Sequence, residues 1–282
     1  ELTPTPTVIA GTLSIWHAWD ERELPTLATI IKAFQQEYPN VFFDVTYISE
    51  QDLLARFQSE TIAGHGANLL FAPASWGSEL DQAGVLTDLS ELADETLLST
   101  LNRAALQGSQ SEGETISLPY SLEGVVLYRN KDISTLDADS MQALASLAQT
   151  STQGEAIGAY LERSFFFSGG HLEGLGGSLM NEEGQPSFNS PEGLVWIELL
   201  QSFESAGLTS FQSDDDLLTF KEGKVGWIID GTWNLPSLIE AIGSDKLAIE
   251  PWPTYGPGQL SGYVQSENVY MSAQLSEKEK LT

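Results

Sequence analysis

The sequence predicts an α/β protein built on parallel sheet, and three observations carry that prediction. Short apolar runs of strand length alternate with stretches of helical periodicity from residue 11 onward. The spacing between successive strand runs leaves room for a crossover helix each time. The chain is also long enough, at 282 residues and 41% hydrophobic, to bury a large core in one big domain or two lobes.

The elements follow in order. Residues 13–16 (LSIW) form an apolar strand that ends in a polar loop, His17 to Glu23. Leu24, Leu27, Ile30, Ile31, Phe34 and Tyr38 then fall at helical spacing, and Pro39-Asn40 stops that helix. Val41, Phe43, Val45 and Tyr47 share one side of a period-2 strand. Leu53, Leu54, Phe57 and Ile62 mark a second helix ending near Gly64, and residues 69–72 are another short strand. Residues 115–118 and 125–128 read as two strands separated by a bend at 119–124. Beyond them, helical stretches are expected at 140–148, 155–163 and 191–206, interrupted by a glycine-rich segment at 169–177. A strand at 224–230 and a helix at 234–242 follow, and the Pro-rich run 251–258 is a candidate hinge.

Composition excludes several partners. Forty Asp and Glu against twelve Lys and Arg give a formal charge of −28. A polyanion needs clustered cations to release its counterions, so nucleic acid is not a partner, and an anionic membrane surface is disfavoured for the same reason. With no cysteine there are no disulfides, thiolate metal sites or cysteine nucleophile. No window approaches the apolar length of a membrane span. At the start, Thr/Pro alternation over residues 1–10 reads as an extended linker. At the end, Ser276 and Glu279 have capping-box spacing but almost nothing follows, so a C-terminally shortened fold is expected.

Candidate chemistry gathers after the strands, where open α/β sheets bind ligands. The loop after the first strand holds Trp16, His17, Trp19 and Asp20; Trp76 follows the third; Tyr120 and Glu123 sit at the 119–124 bend; Trp233 opens the helix after the strand at 224–230. Flat aromatic faces suit the C–H faces of a sugar ring, and carboxylates accept from its hydroxyls. For Trp16, Trp19 and Trp233 the competing reading is plain core packing, and for Glu123 a surface salt bridge. A glycoside-acting enzyme with paired carboxylates stays open beside a binding protein. The remaining motifs carry less. His17, His65 and His171 lack ligand spacing for a metal. Residues 169–177 lack the ending of a phosphate loop and serve close backbone approach instead. Asp214, Asp215 and Asp216 are read as the acidic first turn of a helix at 217–221, and Trp196 and Trp227 as core.

Four segments then carry a family likeness: 13–19 (LSIWHAW) with its helix and Pro39-Asn40; 82–89 (QAGVLTDL); 116–132 (ISLPYSLEGVVLYRNKD); and 220–233 (FKEGKVGWIIDGTW). The chain resembles the extracellular sugar-binding lipoproteins of ABC importers, the class that includes maltose-binding protein. The resemblance implies a two-lobed, type II periplasmic-binding-protein-like fold, with lobe I at 11–118 plus 256–282 and lobe II at 119–255. It implies a non-catalytic monomer outside the cytoplasm, as a cell-surface lipoprotein or in the periplasm, that needs no cofactor or metal. It would close its lobes on a sugar and deliver it to permease subunits. By motif, Trp16 to Asp20, Trp76, Glu123 and Trp233 match cleft-lining positions, and Phe165 and Phe166 fall in a region that often donates a stacking ring. Gly64-His-Gly-Ala-Asn68 departs from the usual Gly-x-x-Pro-Asp, and relatives continue beyond the strand near Ala273, so a shortened, non-binding fragment is a third reading.

Overall fold

The computed structural model describes residues 9–181 and 183–275; the Thr/Pro run at 1–8 and the capping box at Ser276 lie outside the described residues. The chain divides into two compact units: unit 1 runs to Leu122 and resumes at Gln265, and unit 2 is Glu123–Val264. Both boundaries fall a few residues later than the expected 118 and 255, which puts the Pro-rich run 251–258 inside unit 2 rather than at a crossing.

Unit 1 begins with β1 (Gly11–His17), α1 (Leu24–Glu37), β2 (Val41–Tyr47), α2 (Glu50–Ile62) and β3 (Leu69–Pro73). β1 pairs in parallel with β2 on one side and β3 on the other. Pro25 starts α1, where its missing N–H costs nothing. Only Val41 and Phe43 of the expected β2 face are covered; Val45 and Tyr47 are exposed because β2 is the sheet edge. Asn68, the residue that departs from the family pattern, fastens β3 to β1: its Oδ1 accepts from the Ser14 amide and hydroxyl, and its amide donates to Ser14 Oγ. Then come α3 (Gly77–Gln82), α4 (Glu95–Thr100, capped by Asp94), α5 (Arg103–Gln107, capped by Asn102) and a hairpin of β4 (Gln110–Ser111) and β5 (Glu114–Thr115). That hairpin turns through Glu112 and Gly113, both at positive φ, as a tight two-residue turn demands.

β6 (Ser117–Asn130) is one continuous strand, where two strands and a bend were expected. Pro119 does not interrupt it, since a proline is tolerated wherever the ladder asks no amide of it. Unit 2 continues with α6 (Met141–Ser151), β7 (Ile157–Glu162), α7 (Phe165–Ser168), α8 (Gly170–Gly174), α9 (Pro191–Ala206), β8 (Leu208–Ser210) and α10 (Asp215–Lys221). β9 (Val225–Gly231), α11 (Leu235–Ile242), β10 (Leu247–Glu250) and a hairpin of β11 (Thr254–Tyr255) and β12 (Gly258–Gln259) complete it. The strand order is β10-β6-β9-β7-β8, antiparallel over the first two pairs and parallel over the last two, which keeps the expected α/β sheet with flanking helices. Finally β13 (Val264–Met271) returns to unit 1 and pairs antiparallel with β3.

β7 corrects the expected helix at 155–163. The run Glu-Ala-Ile-Gly-Ala-Tyr-Leu-Glu-Arg has good helix formers, but tertiary contacts override them. The strand lies between β8 and β9 with both faces covered, so it shows no alternation to betray it. Gly158 has no room for a Cβ because the Ala148 carbonyl presses against it. The glycine-rich segment likewise brings backbones together: side chains at Gly170 or Gly174 would collide with the backbone of Gln259–Tyr263.

The core of unit 2 is built on Leu127, Leu144, Ala159, Leu199, Phe203 and Trp227. Trp227 is fully buried, as expected; its Nε1 donates to Ser134 Oγ, and the Arg129 guanidinium lies 5.5 Å over its ring. Arg129 in turn pairs with Glu250 at 2.7 Å, a buried ion pair. Unit 1 has its own core around Leu53, Phe57, Leu70, Leu80, Ile116 and Tyr270. Among the described residues no helix is long and apolar enough to cross a membrane.

Candidate functional site

Each unit carries a partly exposed group of rings on or just after its strands. In unit 1, Trp19, Phe71 and Tyr120 form a triangle with centroids 5.3 to 5.4 Å apart, and Trp19 Nε1 donates to Tyr120 Oη at 2.9 Å. β1 delivers Trp19, β3 delivers Phe71 and β6 delivers Tyr120. Edge-on and tilted contacts of this kind each add about 0.5–1.5 kcal/mol beyond area burial. The group is therefore rigid before any ligand arrives.

His17 stands behind that triangle, and Trp16, its neighbour on β1, turns into the unit 1 core. His17 Nδ1 accepts the Trp19 amide at 3.0 Å, so the loop is shaped by the imidazole and the ring proton sits on Nε2. Burial holds its pKa below the ordinary value, against the opposing Glu23 charge. Trp16 is buried against Phe57, with the Arg56 guanidinium 5.1 Å from its ring. Of the two readings open for Trp16, its packing favours the core. Asp20 is exposed, and the Arg22 side chain, bonding both Nε and Nη2 to Oδ2, holds its carboxyl below the usual range. Trp76 ends a 3₁₀ turn after β3 and lies half-buried on the unit 1 core.

In unit 2 the rings are Phe165, Phe166, Phe167 and Trp233. Phe166 and Trp233 lie 5.9 Å apart, Phe166 and Phe167 5.2 Å, and Phe165 meets Trp196 and Tyr263. Phe165 and Phe166 are 56% and 47% exposed, an unusual cost for two consecutive phenylalanines that a binding surface would repay. Trp233 sits in a 3₁₀ turn, Thr232–Asn234, and its indole lies flat against Gly231 where any Cβ would strike it. Glu123 is half-buried, and the amide of its neighbour Gly124 donates to Thr232 Oγ1, which ties the start of unit 2 to the Trp233 turn.

The structure thus brings Trp19 together with Tyr120, and Phe166 into one ring layer with Phe167 and Trp233, within their own units; Phe165, next in the chain, meets Trp196 and Tyr263. Phe71, Phe167, Trp196 and Tyr263 were not read from the sequence as site residues. Phe71 lies in a short, wholly apolar strand, and the only signal for it is that its neighbours Leu70 and Ala72 face the core and it must face away. A concavity of unit 2, about 560 Å³ beside α6 and α9, shares no residue with the ring layer. An apolar groove of about 240 Å³ in unit 1 touches the triangle through Phe71. Among the described residues no cluster of three or more His, Asp or Glu side chains could hold a metal ion.

Comparison with known proteins gives a consistent result. The sequence profile of the bacterial extracellular solute-binding proteins matches residues 29–282. A Brucella abortus protein named only as a binding protein is 22% identical over 276 residues, covering 91% of this chain and 66% of its own. The maltodextrin-binding protein of Bacillus subtilis is 25% identical over 218 residues, 70% of this chain and 52% of that one. The chain therefore spans about two thirds and about half of the length of these relatives. An extracellular solute-binding protein of Staphylococcus aureus solved with maltose superimposes at a TM-score of 0.80 and 20% identity, covering 95% of this chain and 73% of its own.

Proposed function

Since the chain belongs to the bacterial extracellular solute-binding proteins, we propose that its solute is a carbohydrate, of the malto-oligosaccharide class that its relatives are named for. The observation that carries this reading is the pair of partly exposed ring groups, Trp19-Phe71-Tyr120 in unit 1 and Phe165-Phe166-Trp233 in unit 2. Sugar C–H faces stack on such rings, and Asp20 and Glu123 supply acceptors for hydroxyls at their margins. His17 acts from behind, as a support of the Trp19 loop, and Trp16 packs in the unit 1 core. Trp76, half-buried, contributes its exposed edge.

The protein then works outside the cytoplasmic membrane and passes its sugar to an ABC permease, with lipid anchoring as its means of staying there. Family and structural neighbours are binding proteins, and the chain is proposed to do no chemistry on its ligand. Calorimetric titration with glucose, maltose, maltotriose and maltotetraose tests this. Heat of binding that grows with the number of stacked rings is expected; no heat across the series rejects the reading. Reducing sugar released with time, and lost in Glu123→Gln, would turn the case toward a glycosidase.

A further inference from the structure

Three carboxylates are buried beneath the ring layer of unit 2. Glu162 at the end of β7, Asp216 in the first turn of α10 and Asp230 near the end of β9 are 2%, 4% and 5% exposed. Burying a carboxylate is costly unless it is well bonded, so the identity of each partner is informative. Glu162 Oε1 accepts the Ser164 amide at 2.5 Å and its Oε2 accepts the Ser210 hydroxyl at 2.8 Å. Ser164 is the residue from which α7 starts, and α7 carries Phe165, Phe166 and Phe167. Asp230 Oδ1 accepts the Gly231 amide at 2.5 Å and Asn234 Nδ2 at 2.9 Å. Those two partners bracket the turn that carries Trp233, and Tyr128 Oη fixes the same turn by donating to the Gly231 carbonyl.

The third carboxyl joins the set through a hydroxyl. Asp216 hydrogen-bonds Ser210, whose single proton is already given to Glu162. Burial first, then the Glu162 and Asp230 charges, push it up to about 7 against the Leu217 amide and Ser210 bonds, both of which favour the ionised form. Burial also raises Asp230, opposed by Asn234, the Gly231 amide and Lys221, and assisted by Asp214. Tyr160 on β7 faces Asp215, Asp216 and Glu162, and Tyr128 on β6 faces Asp230.

We propose that Glu162 and Asp230 are positioning residues for the Phe165-Phe166-Trp233 layer, and that ionisation of Asp216, buried beside them, links that layer, and with it sugar affinity, to pH. The affinity half of this rests on the carbohydrate reading above; the positioning half does not. When Asp216 ionises, a third negative charge enters a buried set and competes with Glu162 for the Ser210 hydroxyl, and the anchor of Ser164 loosens.

Two measurements test it. Without sugar, Trp233 emission, isolated as the difference from a Trp233→Phe variant, is expected to shift between pH 5.5 and 8.5 with a midpoint near 7. Asp216→Asn and Ser210→Ala abolish the shift if Asp216 ionises and acts through that hydroxyl, and an unchanged midpoint in both overturns the proposal. With maltotetraose as the probe, wild-type affinity should fall about threefold to tenfold as pH rises through that range and stay flat in Asp216→Asn. Affinity that does not vary with pH in the wild type overturns the linkage. Glu162→Gln keeps an acceptor for Ser164 but offers none to Ser210, so it should weaken binding while leaving the far-ultraviolet circular dichroism unchanged. If maltotetraose binds at no pH while the emission titration behaves as expected, the carbohydrate reading fails and the positioning role stands.

Discussion

The two ring groups are held in place by different physics. In unit 1, Trp19, Phe71 and Tyr120 support one another through ring contacts and one hydrogen bond between neutral side chains, with the neutral imidazole of His17 behind the loop. In unit 2 the backbone under the rings is bonded to buried carboxylates. A neutral triangle keeps its geometry wherever its neighbours stay neutral; a layer standing on carboxylates keeps it only over the pH range in which the charges beneath are balanced. One protein can thus present a constant surface from one unit and a titrating one from the other.

The largest effect that would sharpen this contrast is loss of a ring. Trp233→Ala should weaken maltotetraose binding by about 2 kcal/mol, roughly thirtyfold, as removal of a central aromatic contact does. If Trp233→Ala binds as well as wild type in calorimetry, unit 2 contributes no stacking. A comparable loss is expected from Gly231→Val, which leaves the indole in the chain but displaces it from its seat. Next in size is the pH dependence of stability, which should belong to unit 2. His171 there is fully buried, with Nδ1 bonded to the Ser261 carbonyl and Nε2 without a partner, and burial pushes it down to about 4. A base whose folded pKa is depressed leaves the unfolded state binding more protons between about 4 and 6.5, so stability falls as pH drops through that window. Asp216 runs the other way: raised to about 7, it makes stability fall as pH climbs from 4 toward 7. Thermal melting against pH should show both limbs, with His171→Phe flattening the acid one and Asp216→Asn the neutral one; a profile unaltered by either variant would remove the contrast.

Tyr120→Phe probes unit 1 more gently. It deletes the acceptor of Trp19 Nε1 while keeping all three ring contacts, so a loss of about 1 kcal/mol in sugar affinity, with no change in its pH profile, is expected. A new pH dependence in that variant would show that the triangle also leans on charge. The smallest effect is salt. With a formal charge of −28, raising sodium chloride from low to moderate concentration should lift the melting temperature by a few degrees through screening of the acidic surface. Melting that is insensitive to salt would mean the carboxylates are already paired or far apart.

How much of this was legible in the sequence depends on where a signal can live. The β1-α1-β2-α2-β3 run was read almost to the residue, because each helix is amphipathic and each strand is bounded by a turn or cap. Trp19, Tyr120, Phe165, Phe166 and Trp233 were singled out from their place after strands, or from family likeness, and the structure leaves their rings at least partly exposed. β7 was misread as helix, since a strand covered on both faces has no period to show. The acidic trio was invisible for another reason. Asp216 looked like one of three solvated carboxylates opening a helix, and only the packing of α10 onto β7, β8 and β9 tells it apart from Asp214 and Asp215. Burial of a charged residue is a property of the finished fold, and a local pattern cannot announce it.

Gly158 has a consequence for how this protein can change over time. The Ala148 carbonyl leaves no space where a side chain would begin, and the residue sits near the start of a strand that pairs with β9 and packs on α6. In a library randomised at that codon, only glycine should survive selection for soluble protein. The position is therefore a fixed point in sequence drift: variation at its neighbours must work around it, and a relative lacking glycine there would have to have rebuilt the helix behind it as well.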